Sequence, residues 1–258
     1  MYNINRVIKK LTPHRSAAEL FKYFSDEKDC VFLDSSLVNG LGRYSIIGVR
    51  PYLKLVKDDH GFFINGQKVS ELSFEEYLKK YLSEHKDQNE SGLPMLSGAV
   101  GYFSYEYGRK LMEIPSHKEN LVTIPDAVLV FYDMYIIEDC HEKKTFLVAN
   151  GITEDAEKLI ESVEKRLTEV LLEKEQVADG SFNIEITPNF KKEEYKQAVD
   201  EMIRYIIEGD IYITNMTQQL EVKSNKKPLD VFYDLRENNP SPFGGYMDYG
   251  DFQIVCAS

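Results

Sequence analysis

The chain has 258 residues, 43% hydrophobic and 12% aromatic, which is ample for one large domain or two modest ones with a real core and argues against global disorder. Its 31 Lys and Arg against 43 Asp and Glu leave a net charge of −12 at pH 7. No Lys/Arg cluster interrupts that balance, so a nucleic-acid partner is not expected. No apolar run approaches a membrane span and the first residues lack an apolar signal core, so the expectation is a cytoplasmic chain with no membrane partner. Three well-separated cysteines, Cys30, Cys140 and Cys256, suit a reducing compartment and offer neither a disulfide framework nor a CxxC metal site.

Residues 16–26 predict a helix, with apolar bulk from Ala18, Phe21, Tyr23 and Phe24. Residues 30–36 predict a short strand leading into Asp34-Ser35-Ser36, followed by the loop Val38-Asn39-Gly40-Leu41-Gly42. The two loop glycines permit close approach or positive φ. A strand resumes over 43–49, and Arg50-Pro51 is expected to break it. Alternation over 52–57, a turn at Asp58-Asp59-His60-Gly61 and a second at Asn65-Gly66 describe an antiparallel meander. Ser73-Phe74-Glu75-Glu76 is a capping-box pattern that opens a helix running to His85. Gly98 and Gly101, inside the apolar stretch 96–105, suggest close backbone packing or a bulge. A helix over 105–112, a strand from Ile124-Pro125-Asp126 through Glu138, a return strand over 145–149 and a charged amphipathic helix over 153–173 follow. The polar stretch 174–181, closing on Asp179-Gly180, marks the expected domain boundary, with 1–182 as a first domain and 183–258 as the start of a second.

The stretch 195–222 organises the rest. Tyr195, Val199, Met202 and Ile206 recur at helical spacing as one expected buried stripe, and Gly209 stands where an αL cap belongs. The period then switches to two, predicting a long strand with Tyr212, Met216, Leu220 and Val222 on one face and Asn215, Thr217, Gln219 and Glu221 on the other. The uncharged Asn/Thr/Gln part of that second row suits either a polar network beneath a site or an ordinary exposed face. Residues 228–237 predict a helix with Pro228 near its start, then a stiff loop, Asn238-Asn239-Pro240-Ser241-Pro242-Phe243, and two strands over 243–249 and 252–257. The chain stops on Gln253-Ile254-Val255-Cys256-Ala257-Ser258, inside an apolar strand. A natural domain seldom ends so, and a fragment is expected.

No catalytic set is legible. The histidines at 14, 60, 85, 117 and 141 fall in loops or at helix ends, no phosphate loop, HExxH or GxSxG occurs, and Asp126 and Asp133 sit at odd spacing on opposite strand faces. Two loops are candidates for a small-ligand site: Asp34-Ser35 with Leu41-Gly42-Arg43-Tyr44, and Asn239-Pro240-Ser241-Pro242-Phe243-Gly244. Together they offer polar groups for an ammonium and a carboxylate and apolar groups for a side chain, although on sequence physics alone two structural turns are the favoured reading.

At these residues the sequence resembles the chorismate-utilising enzymes, specifically component I of anthranilate synthase and of 4-amino-4-deoxychorismate synthase. The resemblance runs through Phe32-Leu33-Asp34-Ser35, Gly42-Arg43-Tyr44-Ser45-Ile46-Ile47-Gly48, Gly101-Tyr102-Phe103-Ser104-Tyr105-Glu106, Ile124-Pro125-Asp126, Phe131-Tyr132-Asp133, Gly209-Asp210-Ile211-Tyr212 with Asn215 and Gln218, and Asn239-Pro240-Ser241-Pro242-Phe243. It implies an α+β fold with a two-sheet β-sandwich core flanked by helices, of the anthranilate synthase component I type and truncated here. It also implies a first component I domain followed by the incomplete start of a chorismate-binding domain. The implied reaction adds ammonia, delivered by a glutamine amidotransferase subunit, to chorismate, with Mg²⁺ as Lewis acid. The metal carboxylates and catalytic residues of the family lie beyond Ser258, so no catalytic or metal-binding residue is assigned and the chain alone is expected to be inactive. What carries over is an L-tryptophan site at Ser35, Leu41, Gly42, Arg43, Tyr44, Pro242, Phe243 and Gly244. Asp34, Phe243 and Gly244 depart from the family's Glu, Tyr and Met, and Ile213 and Gln219 from its Gln and Arg. Tyr105-Glu106-Tyr107-Gly108-Arg109 resembles the deoxychorismate branch, which feeds 4-aminobenzoate and folate synthesis, more than the anthranilate branch. The alternatives are anthranilate synthase component I, of tryptophan synthesis, and a non-catalytic amino-acid-binding or subunit-docking module of the same ancestry.

Overall fold

The computed structural model describes residues 5–115, 122–169 and 184–258. In chain order they form β1 (Val7–Lys10), α1 (Ala17–Phe21), β2 (Val31–Asp34), β3 (Tyr44–Asp58), β4 (Gly61–Ile64), β5 (Gln67–Val69), α2 (Phe74–Glu84), β6 (Ala99–Phe103), α3 (Tyr105–Leu111), β7 (Ala127–Asp139), β8 (Lys144–Ala149), α4 (Ala156–Thr168), β9 (Glu185–Pro188), α5 (Lys192–Glu208), β10 (Leu220–Lys223), α6 (Pro228–Asn238), β11 (Gly244–Asp248) and β12 (Gln253–Ala257). The chain groups into two compact units, Met1–Leu172 with Pro228–Ser258, and Glu173–Lys227. The expected boundary after residue 182 falls outside the described residues. The units cut across it, because β11 pairs with β2 and so returns 228–258 to the first unit.

The fold is mixed, with antiparallel sheets, as expected. In the first unit, ten strands form one antiparallel sheet in the order β1-β8-β7-β3-β2-β11-β12, with β4 and β5 continuing from β3 and β6 from β7. The long strands β3 and β7 are its spine, paired from Tyr44 opposite Asp139 to Lys57 opposite Ala127. Period-two alternation sends neighbours to opposite faces. Ile47, Val49, Met134 and Ile136 join a core with Phe21, Leu159 and Phe232 from α1, α4 and α6. Ile46, Tyr135 and Ile137 join a second core with Val31 and Met247. Covered on both sides, all of β7 is buried. A third core packs Phe74 of α2 against Phe62, Leu55 and Phe131.

Several local expectations hold for their stated reasons. Ser73 and Glu76 exchange the two bonds of a capping box, at 3.1 and 2.9 Å. Asn65 and Gly66, both at positive φ, turn β4 into β5. Gly101 is where backbones touch: a Cβ there would lie 1.9 Å from the Val128 carbonyl oxygen.

Others are corrected. Arg50-Pro51 does not end a strand: β3 runs through it, with Arg50 at φ 59° and an irregular register between Pro51 and Leu53 that accommodates the missing N–H. The expected helix over 16–26 is the single turn and a half of α1, followed by further turns. The helix expected over 153–173 is the shorter α4, which begins at Ala156 under an Asp155 cap and ends at Thr168, where the backbone of Glu169 turns extended; residues 170–173, Asp179-Gly180 and His117 lie outside the described residues.

The second unit contains β9, α5 and β10, the last pairing β9 in a two-stranded ribbon. Helix α5 closes on Gly209 in the αL conformation, φ 84°, as the pattern predicts. The stripe it was expected to bury is not buried: Tyr195, Val199 and Met202 are half-buried and Ile206 is exposed. The expected long strand reduces to Leu220–Lys223, because among the described residues only the four-residue β9 lies beside it. No helix among the described residues is long and apolar enough to cross a membrane.

Candidate functional site

Antiparallel pairing of β11 with β2 sets Gly244 opposite Asp34. That register brings together the two loops singled out in the sequence, 34–44 at the start of β3 and 239–244 between α6 and β11, though some two hundred residues separate them in the chain. The Ser35 hydroxyl lies 2.8 Å from the Tyr44 carbonyl and 3.1 Å from that of Pro242, so its one proton serves either. Ser36 completes the seam: its hydroxyl accepts the Ser241 N–H at 2.9 Å and donates to the Ser241 carbonyl at 3.2 Å, while the Leu37 N–H donates to that same carbonyl at 3.0 Å.

The first loop is shaped by Asn39, whose Oδ1 accepts the N–H groups of Leu41 and Gly42 at 2.8 and 2.9 Å, an Asx turn. Gly42 is required: a Cβ there would stand 2.3 Å from the Leu37 oxygen and 3.0 Å from the Pro242 Cα. Leu41 and Phe243 present large apolar side chains to solvent, 69% and 64% exposed. Arg43 donates through Nε and Nη2 to Asp139 Oδ2, at 3.1 and 2.7 Å, and lies 4.8 Å from the Tyr44 ring centroid. The hydrogen bond to Asp139 raises the Arg43 pKa further. Burial pushes the Asp139 carboxyl up, but Arg43 and the N–H groups of Glu142 and His141 more than offset it and hold it below the usual carboxylate range.

Beneath the seam Asp34 meets a partner that sequence reasoning missed, Arg236. Asp34 is buried, accepts the Ser45 hydroxyl at 3.2 Å, and has its Oδ2 2.8 Å from Nε of Arg236 on α6. Neither of those two atoms makes a directed hydrogen bond, so their contact is an ion pair only. Burial raises the Asp34 pKa, and Arg236 and Ser45 only partly offset it. Nothing local marks Arg236, since its role comes from the packing of α6. The Asn238-Asn239-Pro240 stop was the nearest signal, fixing where α6 ends.

The seam has a half-exposed cation, exposed apolar side chains and backbone groups knit by serines. These are the kinds of group from which small-ligand sites are built. Among the described residues no three His, Cys, Asp or Glu side chains gather to hold a metal. Asp126 and Asp133 do separate work: Asp126 holds Lys110, and Asp133 caps Ile152 and Thr153. Of the described histidines, His14 meets Glu138 at 3.1 Å, His141 meets the Asn39 carbonyl at 3.1 Å and His85 stacks on Tyr81; none is buried.

Comparison with known proteins agrees with this architecture. The chain is 30% identical over 261 residues to anthranilate synthase component 1 of Acetivibrio thermocellus, covering 93% of this chain and 52% of that one. It is 28% identical over 234 residues to aminodeoxychorismate synthase component 1 of Bacillus subtilis (strain 168), covering 84% and 48%. The crystal structure of anthranilate synthase component I from Streptococcus pneumoniae TIGR4 superposes with a TM-score of 0.70 at 24% identity, over 86% of this chain and 51% of that one, which shows the fold. The chain therefore spans about half the length of the curated relatives it matches. The family model described as chorismate binding enzyme matches residues 29–258, nearly the whole of the two units, and the chain belongs to that family.

Proposed function

We propose that this chain is the N-terminal part of the aminating subunit that converts chorismate and ammonia to 4-amino-4-deoxychorismate, with ammonia supplied from glutamine by an amidotransferase partner. The observation that carries it is the family match over residues 29–258. The resemblance of Tyr105-Glu106-Tyr107-Gly108-Arg109 to the deoxychorismate branch supports the product. In the structure that segment is α3, capped by Ser104 and tied by a Glu106–Arg109 ion pair. A second reading, formation of anthranilate, is favoured by the 30% identical relative of that name. Mg²⁺ would act as Lewis acid at the chorismate carboxylate. Among the described residues no cluster of carboxylates gathers to hold such an ion, and the chain by itself is proposed not to turn over.

We further assign L-tryptophan binding to Ser35, Leu41, Gly42, Arg43, Tyr44, Pro242, Phe243 and Gly244. The meeting of the two loops supports this assignment. Phe243 and Leu41 would flank the indole, and Arg43 would meet the carboxylate if it leaves Asp139.

The test uses the whole reading frame that contains this chain, purified and supplied with chorismate, ammonium and Mg²⁺, with products separated by chromatography. Aminodeoxychorismate, scored as 4-aminobenzoate after lyase treatment, supports the first reading, and fluorescent anthranilate the second. Neither product refutes both, and turnover by residues 1–258 alone refutes the proposed inactivity. For the effector site, calorimetry with tryptophan should register heat at low millimolar ligand, and silence there removes the assignment.

A further inference from the structure

A cavity of about 430 Å³ lies away from the two-loop seam, between the turn before β2 and the β4–β5 hairpin. That volume is in the range of small-molecule pockets. Its walls carry Lys28, Asp29, Lys54, Asp58, Val56 and Phe63. Lys54 is committed: its ammonium pairs with Asp29 and lies 5.3 Å from the Tyr249 ring centroid. Lys28 makes no ion pair among the described residues. Asp58, which lines the cavity, spends Oδ1 on the N–H groups of His60 and Gly61, at 2.8 and 3.0 Å, and its Oδ2 makes no hydrogen bond among the described residues.

The lining excludes two ligand classes. Two lysines against two aspartates sum to no net charge, which gives a polyanion no electrostatic gain on a chain of net charge −12. A wholly apolar ligand would strip water from Lys28 and Asp58 without replacing it. A molecule carrying one positive and one negative group beside an apolar tail satisfies every wall. We infer that this cavity binds a free α-amino acid with an apolar side chain, its carboxylate on Lys28, its ammonium on Asp58 and its side chain against Phe63 and Val56.

Isothermal titration calorimetry on the whole chain tests this with L-phenylalanine, N-acetyl-L-phenylalanine, which lacks the ammonium, and L-phenylalaninamide, which lacks the carboxylate. The free amino acid binds, and each blocked derivative loses at least about tenfold in affinity. Lys28 is exposed, so Lys28→Ala leaves folding intact. It should weaken L-phenylalanine by about tenfold while leaving the amide unchanged, because the amide has no carboxylate to lose. Three results overturn the inference: no heat up to about 10 mM L-phenylalanine, equal affinity for all three compounds, or a heat that survives Lys28→Ala unaltered. The last would place the amino acid elsewhere, including the two-loop seam.

Discussion

The pair beneath the two-loop seam makes a sharp prediction. Arg236→Met keeps the length and apolar stem of the side chain but leaves the Asp34 carboxylate, 3% exposed, without its cation. Removing one partner of a buried pair costs about 3–5 kcal/mol, because the remaining charge is uncompensated. Arg236 retains 30% side-chain exposure and makes no directed hydrogen bond to Oδ2, so the low end applies, about 3 kcal/mol. The loss should depend on pH. Burial already raises the Asp34 pKa in the folded chain, and losing Arg236 raises it further. A carboxyl whose folded pKa lies above its unfolded value of 3.8 favours the folded state at low pH and loses that contribution as pH rises through the folded pKa. The variant should therefore be most destabilised near neutrality and recover as the medium is acidified and Asp34 takes a proton. The double variant Asp34→Leu with Arg236→Met should regain most of the stability at pH 7. Urea titrations at several pH values measure this. A loss under about 1 kcal/mol for Arg236→Met, or one that does not change with pH, refutes the reasoning.

Three further outcomes follow from the same structure. Gly42→Ala forces a Cβ to within 2.3 Å of the Leu37 oxygen and should cost about 1–3 kcal/mol by thermal melt, whereas Gly40→Ala, with nothing within 4 Å, should be neutral or stabilising by up to about 1 kcal/mol; equal effects would dismiss the contact. Asp133→Ala strands the N–H groups of Ile152 and Thr153, held at 2.9 and 2.6 Å by a fully buried carboxylate, and should cost about 3 kcal/mol in denaturant midpoint analysis. Burial pushes the Cys30 thiol up to about 12, so mass spectrometry should find it unalkylated at pH 8 until urea unfolds the chain; its folded pKa lies above the unfolded 9.0, so its contribution to stability falls as pH climbs from 9.0 towards 12.

Where structure is decided locally, the residues announced it. The Ser73–Glu76 box, the Asn65-Gly66 turn and the αL cap at Gly209 each depend on atoms within four residues of one another, and each stands as the pattern predicts. The two loops were legible as a pair of turns, and Ser35 does reach Pro242. Their partners were not. Arg236 meets Asp34 only because α6 packs over the sheet, and Arg43 is claimed by Asp139 on β7; neither contact has a periodicity or a motif to give it away. Arg50-Pro51 failed for a related reason. Proline removes one ladder bond, but β3 is held by β7 along its whole length, and the neighbouring pairs carry it across the gap.

The stretch after Gly209 shows what alternation lacks. Asn215, Thr217 and Gln219 do alternate with Met216 and Leu220, which is a statement about side chains. A strand is a statement about backbone partners, and each of its N–H and C=O groups needs one. Among the described residues of this unit, β9 supplies them for four residues only. Just before β10, Gln219 exchanges bonds with Asn189, through its N–H to Oδ1 at 2.9 Å and its carbonyl to the Asn189 N–H at 3.0 Å. Further back, the Met216 carbonyl accepts, among the described residues, only the Tyr195 hydroxyl, at 3.3 Å. Tyr212 and Ile213 stand 94% and 77% exposed in the same run. Apolar residues at period two, with no strand beside them among the described residues, do not make a strand: the pattern holds for Leu220–Lys223 and fails for the residues before it.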